Sequence, residues 1–183
     1  KMCGIVGYTG RDNARDIIID GLKKLEYRGY DSAGIALLID GEINIKKHVG
    51  GIENLENLIA GENLYSHTGI GHTRWATHGA PSDINAHPHA SEDGRVAIVH
   101  NGIIENYVEL KEELIKKHHV HFKSETDSEV VAHLIGIYMQ ESDCLEDAVF
   151  KAMGRMRGAY AIVAVSADDP DKLVAVRKDA PLI

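Results

Sequence analysis

Ile35-Ala-Leu-Leu-Ile-Asp-Gly-Glu-Ile-Asn-Ile-Lys-Lys-His48 sets two short runs rich in β-branched and apolar residues around an Asp-Gly pair. Ile35–Ile39 and Glu42–His48 read as strands. Asp40-Gly41 between them suits a type I′ turn, whose two central residues both need positive φ. The segment therefore predicts an antiparallel hairpin. Parallel neighbours need long crossovers, so this hairpin excludes a purely parallel, doubly wound sheet.

Working outward, Cys3–Tyr8 is short, apolar and bounded by Gly10, as a buried strand should be. Asp12 is a candidate N-cap for a helix carrying Ala14, Ile17, Ile18, Leu22 and Leu25 at helical spacing. Gly29 and Gly34 interrupt that pattern before the hairpin. Beyond the hairpin, Ile52–Ala60 predicts a short helix stopped by Gly61, and Gly69–Trp75 a strand. Residues 76–90 hold two Pro, a Gly, an Asn and three His and predict a long irregular loop. Loops of that length inside a compact domain are more often functional than not. Arg95–His100 and Val120–Phe122 read as strands and Asn106–His118 as an amphipathic helix. Thr126 with Glu129 reads as a capping box opening a helix to about Met139. Leu145–Met156 is a further helix. Gly158–Ser166 and Leu173–Lys178 are strands joined by a turn at Asp168-Asp169-Pro170-Asp171. Strands in antiparallel pairs with helices between them predict an α+β fold in which two sheets are flanked by helices.

Composition narrows the function. The chain has 183 residues and a formal net charge of −8, from 20 Lys and Arg against 28 Asp and Glu. That length supports one substantial core, so one domain spanning residues 1–183 is expected. An acidic chain without a basic stripe is repelled by phosphates, and nucleic acid is not an expected partner. The longest apolar run, Ala33–Ile39, is too short to span a bilayer, so no membrane partner is expected. No charged-then-apolar leader is seen. Two Cys, Cys3 and Cys144, make no disulfide framework, and a reducing, cytoplasmic setting is expected.

Several residues could carry chemistry. Cys3 follows Met2, and small residues after an initiator Met commonly become the mature N-terminus. Thiol and α-amine would then share one residue, with ordinary pKa values of about 8.5 and about 8. An amine so placed can take the thiol proton directly or through one water. The alternative is an inert Cys on a buried strand. The planar fork of Arg74 can grip a carboxylate through two parallel bonds, or serve a surface ion pair. Asp127 would favour a helix N-terminus electrostatically. Asn101-Gly102 is a hairpin signal, weakened by the helical pattern after it. Trp75 could be a core filler and Arg28 an exposed loop residue. His72, His78, His87, His89 and His100 could offer metal ligands, but Pro88 restricts the geometry and no Cys or carboxylate completes a known spacing. Gly4, Gly7 and Gly10 make no phosphate loop, since no Gly-Lys-Ser/Thr follows.

Leu25–Gly34 (LEYRGYDSAG), His72–Gly79 (HTRWATHG), Asn85–His89 (NAHPH), His100–Asn106 (HNGIIEN) and Ser124–Glu129 (SETDSE) stand in one order along nearly the whole chain. Together they resemble the N-terminal glutaminase domain of the glucosamine-6-phosphate synthase family, a group of class II glutamine amidotransferases. RGYDSAG and TRWATHG favour these synthases over their purine-pathway and asparagine-making relatives. The resemblance implies a four-layer αββα sandwich of the N-terminal-nucleophile hydrolase type, lacking a cofactor and a metal. It implies that Cys3 attacks the side-chain amide of L-glutamine while Asn101 and Gly102 hold the oxyanion. Arg74, helped by Thr77 and His78, would bind the α-carboxylate, and Asp127 the α-ammonium. Trp75 would gate ammonia passage and Arg28 would support the nucleophile region. The ammonia would pass to a sugar-phosphate isomerase domain, absent from this chain, for amination of fructose 6-phosphate. A homodimer is compatible with that reading.

Two departures from the family pattern bear on activity. Lys1 precedes Met2, so the α-amine belongs to Lys1 as written, and such a form is expected to have little activity. The family's domain continues past Pro181-Leu182-Ile183, so its last strands are expected to be missing here. Two other classes of function remain open to the residues: a metal-dependent hydrolase built on the histidines, and a regulatory domain that binds glutamine without turnover.

Overall fold

A computed structural model describes residues 3–28, 31–75 and 79–182. The Asp40-Gly41 pair has φ of 52° and 79°, both positive as a type I′ turn requires. It joins β2 (Ser32–Ile39) to β3 (Glu42–Val49) in an antiparallel register that pairs Ile39 with Glu42 and Ser32 with Val49. β1 (Gly4–Thr9) and β4 (Thr68–Arg74) complete one sheet in the order β1-β4-β2-β3. The second sheet has the order β5-β6-β7-β8, formed by β5 (His89–Ala90), β6 (Val96–Gly102), β7 (Tyr160–Ser166) and β8 (Asp169–Lys178). All pairings are antiparallel.

The period of two along each strand divides its side chains between two environments. On β2, Ala33, Ile35 and Leu37 face α1 (Ala14–Leu25) and α2 (Ile52–Leu58), where they meet Ile18, Leu22, Ile52 and Leu55. The alternate residues Ala36 and Leu38 face the other sheet and join Ile70, Ala97, Val99, Val163 and Val165 in an apolar seam. The outer face of the second sheet carries Val96, Ile98, Tyr160, Ile162 and Ala164. These pack on α3 (Tyr107–His118), α4 (Ser128–Met139) and α5 (Leu145–Arg155). The layers are thus helix, sheet, sheet, helix, the expected αββα sandwich. Each fully buried Leu or Ile stabilises it by about 1.5–3 kcal/mol. Among the described residues no helix is long and apolar enough to cross a membrane.

Several local expectations are corrected. Asn13, not Asp12, caps α1; its Oδ1 accepts from Ser66 N and its Nδ2 donates to the Asp16 side chain, so it bonds no backbone N–H of the first turn. Residues 120–122 form no strand; Val120 N bonds Leu114 O and His121 N bonds Glu92. Thr126 and Glu129 form no capping box. Thr126 Oγ1 is bonded to Ser124 and His89, while the Glu129 carboxylate accepts from Lys123 N and Ser124 N. The last hairpin turns at Ala167-Asp168, and Pro170 lies in edge strand β8, where a missing N–H is tolerated. Asn101-Gly102 is no turn either: both residues continue β6, paired with Ala161 and Tyr160.

Candidate active site

Cys3 lies at the head of β1, and Gly4 pairs with Thr73 of β4. This register brings the thiol to the residue just past β4. Trp75 N donates to Cys3 Sγ at 3.1 Å, and the thiol lies 3.5 Å from Trp75 O. Thr73 Oγ1 accepts from Gly4 N at 3.2 Å and fixes the start of β1. Burial pushes the Cys3 thiol up, against the Trp75 N–H, which lowers it; nearby Asp31 raises it further and Arg74 lowers it. The balance leaves the thiol protonated at neutral pH, so it needs a base in order to attack.

The facing sheet supplies the amide. Asn101, next to last in β6, donates from Nδ2 to Cys3 O at 3.2 Å. Its Oδ1 lies 2.8 Å from His72 Nε2, which is also 3.1 Å from His100 O. Gly102 follows at φ +110°. One residue further on, Ile103 N bonds Ala159 O, so the chain stays tied to the residue that precedes β7 as it leaves the sheet. Ile104 N donates to Asp127 Oδ2 at 2.8 Å, so the N-cap carboxylate of α4 is anchored to the segment that follows Asn101-Gly102. Asp127 is buried.

Arg74 ends β4 on the same face as His72, two residues earlier. Its guanidinium is buried; Nη2 donates to Gly79 O at 3.0 Å and Nη1 lies 3.6 Å from Asp31 Oδ1. Trp75 is exposed beside the thiol, and its backbone N–H bonds Cys3 Sγ. Thr77 and His78, and the side chain of Arg28, lie outside the described residues. Hydrogen bonds thus link Cys3, Trp75, Asn101 and His72, with Arg74 at the end of the same strand as His72. Asp127 joins through Ile104.

Behind Asn101 stand four buried histidines. The His87 ring lies 4.3 Å from His72, 4.6 Å from His89 and 6.4 Å from His100, centroid to centroid. Burial lowers all four, His72 and His100 to about 4, and their neighbours' charges lower His87 and His89 further. They are neutral rings at neutral pH. Among the described residues no three His, Cys, Asp or Glu side chains are arranged to hold a metal ion. Sequence reasoning treated His72 only as a metal-ligand candidate and passed over Thr73, Asp31 and the Trp75 backbone. The available signal was the alternation in His72-Thr73-Arg74, which puts the His72 and Arg74 side chains on one face of a strand.

An αββα sandwich with a cysteine heading a strand of one inner sheet is of the N-terminal-nucleophile hydrolase type, and the solved structures it resembles share that architecture. The family model of the glutamine amidotransferase domain matches residues 72–181, and the chain belongs to that family. The glutamine–fructose-6-phosphate aminotransferase (isomerizing) of Clostridium acetobutylicum is 56% identical over 182 residues, covering 100% of this chain and 29% of its own. The protein of the same name from Pyrococcus horikoshii is 54% identical, with 100% and 30% covered. The chain therefore spans about three-tenths of the length of these relatives. Among solved structures, glutamine phosphoribosylpyrophosphate amidotransferase from B. subtilis is 31% identical with a TM-score of 0.70, covering 89% of this chain and 35% of that one. A glutamine aminotransferase class-II domain protein from Silicibacter pomeroyi, 19% identical with a TM-score of 0.61, shares the fold over 98% of this chain and 78% of its own.

Proposed function

We propose that residues 1–183 form the glutaminase domain of a longer cytoplasmic enzyme and hydrolyse the side-chain amide of L-glutamine. The observation that carries this reading is the hold on Asn101. Its Oδ1 is engaged by His72, so its NH₂ edge lies against Cys3, 3.2 Å from the Cys3 carbonyl. One N–H of that edge bonds Cys3 O, and the second can serve an oxyanion formed next to the thiol. Once Cys3 heads the chain, its α-amine takes the thiol proton as sulfur bonds to the amide carbon. The carbonyl electrons move to oxygen, which Asn101 Nδ2 and Gly102 N–H stabilise. Collapse breaks the C–N bond, the ammonium returns its proton, and ammonia leaves. Water then cleaves the thioester to glutamate and restores the thiol.

Arg74 binds the α-carboxylate, together with Thr77 and His78. Asp127 binds the α-ammonium through Oδ1, since Oδ2 is spent on Ile104 N. Trp75 gates ammonia passage and Arg28 supports the nucleophile region. The names of the longer relatives support transfer of the ammonia to fructose 6-phosphate on an isomerase domain. The test is glutamate release from protein confirmed by mass to begin at Cys3, beside the same protein with Cys3→Ala. Release by the first and none by the second is expected. Binding of glutamine without release would replace this reading with a regulatory one. A chain that keeps residues before Cys3 has no α-amine there and should be nearly inactive.

A further inference from the structure

His72 is fully buried, and the proposed mechanism gives its ring no contact with glutamine. Its Nε2 faces two oxygens, Asn101 Oδ1 at 2.8 Å and His100 O at 3.1 Å. The backbone oxygen only accepts, so Nε2 must carry the proton. A neutral imidazole has one such proton, and Nδ1 faces no acceptor among the described residues that would call for a proton there, which is compatible with this tautomer. With Nε2–H as donor, the Asn101 atom facing it must be the oxygen. The same orientation is demanded independently from the other side, because Cys3 O accepts from Nδ2. A flipped amide would set oxygen against oxygen at Cys3 and N–H against N–H at His72. The ring itself is held by His87, 4.3 Å away and tilted by 32°.

We infer that His72 is the positioning residue of the oxyanion site, fixing which edge of Asn101 faces the nucleophile through an Nε2–H donor. This rests on the glutaminase reading and names the residue that sets up its charge-stabilising group. Its contribution appears in turnover, when charge develops on the substrate oxygen, and not in ground-state binding of glutamine.

The experiment measures glutamate release by protein beginning at Cys3. His72→Leu removes the donor and is expected to lower kcat by about 10- to 100-fold, short of the 10²–10³-fold typical for losing the oxyanion donor itself. KM for glutamine should stay within about twofold, because only a transition-state interaction is weakened. His72→Gln places an amide nitrogen near the position of Nε2 and should recover most of the rate. His72→Asn is equally polar but reaches only the position of Nδ1, and should not. That pair decides the matter even if the leucine variant fails to accumulate. In an Asn101→Ala background, His72→Leu should cost less than about twofold in kcat, since the group it orients is gone. Equal rates for the Gln and Asn variants, or a full loss in the Asn101→Ala background, would overturn the positioning role and leave the glutaminase reading standing. Absence of turnover in the unsubstituted protein would sink both.

Discussion

Gly102 sits at φ +110°, a backbone region that side chains avoid. A methyl group there would overlap Ala159 O and lie 2.8 Å from Tyr160 Cα. Both obstacles are backbone atoms at the start of β7 and just before it, and they cannot rotate away. Gly102→Ala is therefore expected to move the end of β6, costing about 1–3 kcal/mol of stability and at least tenfold in kcat. Denaturant unfolding beside a glutamate assay checks both, and an alanine variant with unchanged rate would remove Gly102 N–H from the oxyanion role. Arg74 makes a second prediction at this scale. Arg74→Ala should raise KM for glutamine by the loss of a charged hydrogen bond, about 1.5–3 kcal/mol. An unchanged KM would reassign Arg74 to bracing Asp31 and Gly79, which it already contacts.

At the scale of elements, the loop before β5 is irregular in backbone but closely tied. Lys47 of β3 reaches across with Nζ to the carbonyl oxygens of Ile84, Ala86 and Pro88 at 3.2, 2.7 and 3.1 Å. Val49 N bonds Asp83 at 2.7 Å, and Asn85 bonds Ala80 O and Glu125. Lys47→Met should leave three carbonyls without a donor and cost about 1–3 kcal/mol. Hydrogen exchange across residues 82–90 should rise more than elsewhere, and uniform exchange would mean the loop is held by other bonds. Elements defined by local chemistry were legible in the sequence. The Asp40-Gly41 turn needs only its own two residues, and α1, α3 and α5 need only their apolar spacing. What failed depended on distant partners. Residues 120–122 have strand-forming residues but no neighbouring strand to pair with. Glu129 fits a capping box by spacing, yet Lys123 N and Ser124 N occupy its carboxylate. Asn101-Gly102 matches a hairpin signal, but β7 lies alongside and extends β6 through it. In the site, Cys3, Arg74, Asn101 and Asp127 stand in short motifs, whereas the His72–Asn101 contact joins two sheets, and the alternation that sets His72 beside Arg74 does not tell which residue of the other sheet it meets.

For the molecule as a whole, the buried histidines tie stability to acidity. His72 and His100 titrate near 4 when folded and near 6.5 when unfolded, chiefly because burial disfavours the charged ring. The folded values are depressed, so between these limits the unfolded chain binds more protons. Stability is then fully present above about pH 6.5 and falls as pH drops toward 4, by about 1.4 kcal/mol per pH unit for each ring. His87 and His89, lowered in the same direction, add to the slope. Glu129 contributes at lower pH. Burial raises it, but bonds from His133, Lys123 N and Ser124 N outweigh this and hold it at about 2. Its stabilisation is present above its ordinary value of 4.5 and is lost on acidification toward 2. Urea unfolding at pH 7, 6 and 5 should show a loss of about 2 kcal/mol per histidine between the first and last. A flat profile would mean the rings are charged, or solvated, in the folded protein.

The seam of Ala36, Ile70, Ala97, Val99, Val163 and Val165 separates the sheet that bears Cys3 from the sheet that bears Asn101. The attacking sulfur and the amide that steadies its product thus ride on different platforms, and a dry spacer of methyl groups gauges the gap between them. Interior volume, a matter of upkeep in most proteins, here doubles as a calibration of reach. A shim one carbon too thin would detune the reaction at the rim while leaving every polar contact of each separate platform intact.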